Sequence, residues 1–571
     1  MSGHPRTSQS DHPRTSRSDS PRTVVCCFDG LDADYLDRFD CPRFDALEAR
    51  GVSAGLTSTF PPWTGCAWPS MYTGTDPSDH GVYDFFAFAD GYPDDADLVT
   101  RDDVRAPALW NYLTARDRPS VVVNVPVTYP AEPIDGVVVP GYLAPEEADG
   151  HPDGIRERLA DELGEYHVYS RAERGVTDEH SVGDYVVLID RRRRAVEYLL
   201  ETEPWHLAVV QVQKTDAVFH NFDDETAFER VYEAADRFLG GVIDTVGSET
   251  NVVVCSDHGI GPTDGYRIYL NEVLREQGYL TATREAADLP KLGDEKEWLT
   301  GDDEPSGDGE SNSDDQSLTA RALSRTTGAL ERVGVTPDDL ASVADRVGVL
   351  PYVTERFSGT LRNSLERGVD WRASRAYCRS GNELGVRINL AGREPDGVVP
   401  EDEYEPVRSA LIDDLAALET PDGEPAFEWV KPREAVYSGP RADAACDVLV
   451  MPRGMNNAIA TNLLGAQFVP VDGYDHKREG VFVGAGPGFE FDRGETETRV
   501  EPLSLVDVAP LVMSLLGCPV PERMTGAAPE SLLSTPIRTE AYGDVPYGSG
   551  TGGGLTDESV EGHLADLGYL E

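Results

Sequence analysis

Two textures alternate along the chain: short unbroken apolar runs, and longer stretches with apolar residues at helical spacing. Val24-Val-Cys-Cys-Phe28, Ser120-Val-Val-Val-Asn-Val125, Gly136-Val-Val-Val-Pro140, His206-Leu-Ala-Val-Val-Gln-Val212 and Asn251-Val-Val-Val-Cys-Ser256 are runs of the first kind. They read as strands buried on both faces, as parallel sheets require. Between them, Leu36, Phe39, Phe44 and Leu47 fall at near-helical spacing from Asp32 to about Arg50. Residues 151–200 read as polar helices, and Glu225 to Thr245 as an amphipathic one. Further on, Gly385 to Leu390, Asp447 to Met451 and Gly480 to Gly486 read as strands, and residues 402–418 and Val506 to Leu516 as helices. Strands alternating with helices predict an α/β fold, a largely parallel mixed sheet with helices on both faces.

The pattern breaks after Tyr279. Residues 284–318 are rich in Asp, Glu, Gly, Ser and Asn, while 319–346 read as helical. Residues 284–369 are therefore expected to form an acidic insertion with a helical cap, part of a lid over the site. The expected organisation is a tail over 1–22, a catalytic core in two parts (23–283 and 370–535), and a C-terminal tail over 536–571 that is Gly- and Ser-rich from Gly548 to Gly554. Residues 4–8 and 12–16 repeat His-Pro-Arg-Thr-Ser and lack an apolar core, so neither a signal peptide nor a membrane anchor is expected there. No apolar run in the 571 residues is long enough to span a membrane.

Charge changes the picture. Asp and Glu number 103 against 50 Lys and Arg, a net charge of −53, and the only lysines are Lys214, Lys291, Lys296, Lys431 and Lys477. Acid excess spread over the whole chain predicts a surface adapted to high salt, where screening removes the self-repulsion. The recurring apolar runs argue against an acidic disordered chain. The charge also argues against stable nucleic-acid binding. None of the eight cysteines forms a Cys-x-x-Cys pair, and Cys26, Cys27 and Cys255 sit in apolar strands. They read as buried hydrophobes of a reduced, cytoplasmic protein.

The candidate chemistry stands at strand ends. One strand ends in Asp257-His258-Gly259 and another in Asp29-Gly30. A third delivers Asp216 and, four residues on, His220, which share a face if the segment is helical. Asp and neutral His are ligands for borderline divalent metals, and α/β sheets place ligands at the carboxyl ends of their strands. His476, in Gly473-Tyr-Asp-His476, is a loop histidine that could complete such a set. Thr64 follows Pro61 and Pro62 where a loop enters a helix that runs to Thr73-Gly74. Spacing alone favours an N-cap for it, with a nucleophile facing an anion as the alternative. Asp79-His80-Gly81 has no apolar strand before it and reads as a turn. The run Arg191 to Arg194 reads as a solvated helix face.

Together these pieces resemble the alkaline-phosphatase superfamily, and most closely its branch of type I phosphodiesterases and nucleotide pyrophosphatases. The likeness rests on Phe28-Asp29-Gly30, Thr59-Phe-Pro-Pro-Trp-Thr64 through Thr73-Gly74, Asp216-x-x-x-His220, Ser256-Asp-His-Gly259 and Gly473-x-x-His476, in that order, over residues 23 to about 530. It implies two divalent metal ions, zinc first and manganese as the alternative. Asp216, His220 and His476 would hold one; Asp29, Asp257 and His258 would hold the other, together with the Thr64 oxygen. It implies a threonine nucleophile, a phosphothreonine intermediate and a small phosphoester substrate such as a nucleotide. Cys66-Ala-Trp-Pro-Ser70 does not match the sulfatase motif, so formylglycine chemistry is not expected. One departure stands out: Phe85 lies near the place of a family asparagine that donates to a phosphoryl oxygen, which bears on substrate choice. The alternatives are another enzyme of the superfamily (a phosphomonoesterase, phosphonate hydrolase or mutase) or a catalytically silent metal-bound binding protein.

Overall fold

The computed structural model describes residues 21–89, 91–93, 96–177, 179–283, 368–490 and 500–548. Its centre is an eight-stranded sheet. The chain first lays down β1 (Arg22–Phe28), β2 (Val52–Thr57), β3 (Ser120–Val123), β4 (Gly136–Val139), β5 (Leu207–Val212) and β6 (Thr250–Cys255). Then β7 (Gly259–Thr263) leaves the sheet, and β8 (Gly385–Ile388), β9 (Phe427–Pro432) and β10 (Val448–Pro452) build a smaller one with Ala376–Tyr377 at its edge. β11 (Gly473–Lys477) pairs antiparallel with β7, and β12 (Glu479–Ala485) and β13 (Leu503–Ser504) return to the central sheet. The central order is β13-β2-β12-β6-β1-β5-β3-β4. Every neighbouring pair is parallel except those of β12, which runs against both β2 and β6.

The unbroken apolar runs become strands because both faces are covered. Phe28 packs edge-on against Phe44 of α2 (Pro42–Glu48) and Phe238 of α7 (Glu225–Val246), with α1 (Ala33–Arg38) just before them. Further helices are α3 (Thr64–Thr73), α4 (Pro77–His80), α5 (Val182–Thr202), α6 (Lys214–Asn221), α8 (Glu401–Ala416) and α9 (Val508–Leu515). Thr23 lies on the face opposite Phe28 by the alternation of a strand. There it meets Asn251, whose amide also donates to the Leu515 carbonyl of α9 at 3.3 Å. Val24 to Phe28 are fully buried, and each large apolar side chain so placed stabilises the fold by about 1.5–3 kcal/mol.

This topology gathers the candidate residues. The parallel strands β1, β5 and β6 end on the same rim, and Asp29, Asp216 and Asp257 follow those ends. β2 runs the same way and leads to Thr64. Because β12 is reversed, its beginning faces that rim, and His476 on β11 arrives just before it.

Several expectations change. The helix expected from Asp32 to Arg50 is two helices, because Pro42 starts a new one and has no N–H to continue the first. His476 is on a strand and not a loop: β11 pairs residue by residue with β7, His476 opposite Ile260. Within the expected C-terminal tail, residues 539–548 pack on the core. Thr539–Glu540 pairs with Val520–Pro521, the Tyr542 ring lies under the Arg116 guanidinium at 4.5 Å, Val545 is buried, and the Gly548 N–H donates to Glu132. The N-terminal repeat, residues 549–571 and residues 284–367 of the expected insertion lie outside the described residues. The two ends of that insertion meet: Thr283 N–H donates to the Gly368 carbonyl at 2.8 Å, Asp370 N–H to the Thr281 carbonyl at 2.9 Å, and Ala282 bridges Val369.

Candidate active site

Asp29 leaves β1 into a turn at Gly30, whose φ of +57° favours glycine. The turn has no room for more, since a Cβ there would stand 2.9 Å from the Cβ and Oδ1 of Asp216. The Gly30 N–H donates to Asp257 Oδ1 at 3.2 Å, which ties the ends of β1 and β6 together. Asp29 Oδ2 accepts from Gln211 Nε2 at 2.9 Å and Trp68 Nε1 at 3.3 Å. Asp29 Oδ1 faces the site and accepts from the Thr64 hydroxyl at 3.3 Å.

Thr64 is the first residue of α3, and the cap position belongs to Trp63. The N-cap role favoured by spacing is therefore not the one Thr64 takes. Its hydroxyl points away from the helix, toward Asp29 and to within 3.4 Å of His258 Nε2. Asp216 and His220 sit one turn apart on α6, with His220 Nε2 3.3 Å from Asp216 Oδ1. The start of α6 is fixed by a buried ion pair, Lys214 Nζ to Glu173 Oε1 at 2.5 Å.

Two histidines have their tautomers set by carbonyls. His258 Nδ1 donates to the Gly259 carbonyl at 2.9 Å, and His476 Nδ1 to the Pro62 carbonyl at 3.2 Å. Each bond leaves Nε2 with its lone pair directed inward, as metal-binding imidazoles are held. His258 Nε2 then lies 3.3 Å from Asp257 Oδ2 and 3.5 Å from Asp29 Oδ1, and His476 Nε2 lies 3.6 Å from Asp216 Oδ1. The two rings stack at 3.7 Å. Asp29, Asp257 and His258 offer ligand atoms within 4.8 Å of one another, and so do Asp216, His258 and His476. His258 thus serves both groups. His220 falls outside both, although its nitrogen touches Asp216.

The electrostatics fit a cation. Asp29, Asp216, Asp257, His258, His476 and Thr64 are fully buried. Three carboxylates so close in a dry site are costly without positive charge. Burial, then the charges of Asp257 and Asp216, push the Asp29 carboxyl well above the carboxylate range. Burial raises Asp257 to about 6 despite the opposing His258. Burial also acts to raise Asp216, but the neighbouring His220 outweighs it and holds that carboxyl low. Burial and the neighbouring His258 keep the His476 imidazole neutral. Asp257 Oδ2 is buried and accepts no hydrogen bond. A lone pair of that kind, among imidazoles and carboxylates, suits a divalent metal.

Residues singled out for other roles resolve differently. His80 is buried at the end of α4, not in an open turn. Its Nδ1 accepts from Val82 N–H, so Nε2 donates to Ser70 Oγ, and burial lowers its pKa to about 3. In the arginine run, Arg193 pairs with Asp190 and Glu197 at the surface, but Arg192 is buried and donates to the carbonyls of Gln211 and His167. The solvated-face reading therefore fails for Arg192, which turns inward to cap the strand that carries Gln211. Phe85 is buried and apolar. Gln211 and Trp68, which orient Asp29, went unnoticed in the sequence. Gln211 had a signal: it is the one amide inside the apolar run of β5.

A family profile for type I phosphodiesterases / nucleotide pyrophosphatases matches residues 23–341. No curated protein matches the chain by sequence. Among solved structures, phosphonoacetate hydrolase from Sinorhizobium meliloti 1021, in complex with phosphonoformate, superposes with a TM-score of 0.50 at 16% identity, over 87% of this chain and 96% of that one. Murine ectonucleotide pyrophosphatase / phosphodiesterase 5, as an inactive variant in complex with AMP, gives 0.45 at 14% identity, over 91% of this chain and 97% of that one. At such identity the first likeness shows the fold alone. Among the described residues no helix is long and apolar enough to cross a membrane.

Proposed function

Because the chain belongs to the type I phosphodiesterase / nucleotide pyrophosphatase family, we propose that this metal-dependent phosphoester hydrolase uses Thr64 as its nucleophile. One observation carries the assignment: the buried Thr64 hydroxyl stands 3.3 Å from Asp29 Oδ1 and 3.4 Å from His258 Nε2, beside both groups of ligand atoms. Asp29, Asp257 and His258 would hold one divalent cation, and Asp216, His220 and His476 the other, with zinc favoured by the His and Asp donor set. When bound, the cations lower the pKa of a nearby hydroxyl and neutralise charge on the phosphoryl group.

The chain's own groups do the rest. Gln211 and Trp68 hold Asp29, and Asp29 Oδ1 orients the Thr64 hydroxyl. Thr64 gives up its hydroxyl proton as it attacks phosphorus in line, and that proton passes through solvent to the departing alkoxide on the side of Asp216 and His476. The start of α3 faces the phosphoryl group, where a helix dipole favours negative charge. Water then attacks the phosphothreonine, releasing phosphate from a monoester substrate or a phosphate monoester from a diester, and one proton of that water returns to Thr64. Buried Phe85 offers no amide, so substrate choice rests on other groups.

Thr64→Ala should lose turnover on bis(para-nitrophenyl) phosphate while metal analysis still finds two ions per chain. Acid-quenched wild type should show a phosphate adduct on the peptide containing Thr64. Full activity in the variant would remove Thr64 from the mechanism. A panel of monoesters, diesters and phosphonates, run in high salt, assigns the ester class; a nucleotide is the substrate to try first. We place the protein in the cytoplasm, because its eight cysteines are buried and unpaired, and in a salty one, because of its charge of −53.

A further inference from the structure

Beside the candidate metal ligands lies a pocket of about 110 Å³, walled on one side by Trp63 and Asp475 and on the other by the loops of the smaller sheet. Both near-wall residues adjoin the chemistry. Trp63 precedes Thr64, and its ring packs on His476 at 4.7 Å between centroids. Asp475 precedes His476 and accepts its N–H at 2.7 Å. The far wall is held to the near one, since Trp63 Nε1 donates to the carbonyl of Asn382. The polar lining is Arg267, Asn382, Asn457, Thr461, Asn462 and Asp475, and Leu384, Met455 and Ile459 give an apolar patch.

We propose that this pocket receives the alcohol portion of the substrate, and that it selects a neutral polyhydroxylated group, a sugar or polyol. The inference rests on the hydrolase reading above, which puts the departing alcohol on the side of His476. Three features set the class. The one cationic and the one anionic side chain offset each other, so an added charge of either sign meets repulsion from one of them. Three amides and the Thr461 hydroxyl beside them offer donors and acceptors together, which hydroxyls satisfy at short range. The volume suits a small polyol or one pentose ring and is too small for a whole nucleotide, for which pockets of about 300 Å³ or more are usual.

The test compares ligands that differ only in the alcohol. On metal-loaded Thr64→Ala protein, calorimetry measures ribose 5-phosphate against methyl phosphate. Ribose 5-phosphate should bind about tenfold tighter, since each hydrogen bond to a hydroxyl contributes about 1 kcal/mol. Asn382→Ala and Arg267→Gln, each added to that background, should shrink the ratio to about twofold or less. Equal affinity for the two phosphates, a ratio that both substitutions leave intact, or tighter binding of phosphocholine or phosphoglycolate would overturn the proposal. So would failure to bind either phosphate. A wild-type enzyme that turns over no ester, yet keeps the tenfold ratio, would instead sink the hydrolase reading and leave the pocket standing.

Discussion

At the scale of single residues, the site is governed by groups that never touch a substrate. Gln211 donates to Asp29 from inside a fully buried strand. Gln211→Leu keeps the volume and deletes the donor, so kcat should fall about 10- to 100-fold, as for other residues that orient metal ligands. Circular dichroism should stay unchanged. Gly30→Ala should be harsher: its Cβ would meet Asp216 at 2.9 Å in a left-handed backbone, so metal content should drop with activity. Asp84 supplies a pH signature. Burial, then the charge of Glu383, raises its carboxyl from 3.8 to about 7. The folded state therefore binds a proton that the unfolded state has released between those values. The contribution of Asp84 to stability is full below about pH 4 and is lost as pH rises to about 7, by on the order of 4 kcal/mol for so buried a group. Denaturation of Asp84→Asn should lack that decline, so the difference between variant and wild type should move in the variant's favour from pH 4 to pH 8; a constant difference would refute the assignment. The candidate ligands were legible in the sequence, because each follows an apolar run or a short motif, and the fold brings them to one rim. Asp84 and Trp68 were not, because burial of a lone polar residue leaves no periodic trace.

At the scale of elements, strand runs such as Val24 to Phe28 were easy to read because a strand covered on both faces must be apolar throughout. β11 was hidden. Its sequence Gly-Tyr-Asp-His-Lys has no apolar alternation, since only His476 is buried, and its pairing with β7 is fixed by the reversed β12 that follows. That reversal is what brings His476 to the rim. Gly480 marks the place where β12 meets the Ser256-Asp257-His258 turn: a Cβ there would stand 2.1 Å from Ser256 Oγ and 3.0 Å from the His258 carbonyl. Gly480→Ala should therefore push the β11–β12 connection outward and cost about 1–3 kcal/mol of stability. Metal analysis should find fewer than two ions per chain, with the deficit larger than that of a surface glycine such as Gly473, where a Cβ meets nothing within 4 Å.

At the scale of the whole molecule, charge dominates. With a net charge of −53 the folded chain repels itself, and salt relieves this over a screening length that shrinks from about 10 Å at 0.1 M to about 3 Å at 1 M. The melting temperature should rise steadily across that range in sodium or potassium chloride; a flat response would remove the high-salt reading. The paired stubs at Thr281–Thr283 and Gly368–Asp370 act at the same scale. The chain departs from and returns to a single point, so replacing residues 284–367 with a short Gly-Ser linker should leave the unfolding midpoint and the bound metal essentially intact. The two stubs form a clasp, and what is spliced between them can change in length without moving any strand of the hydrolytic centre by one residue of register.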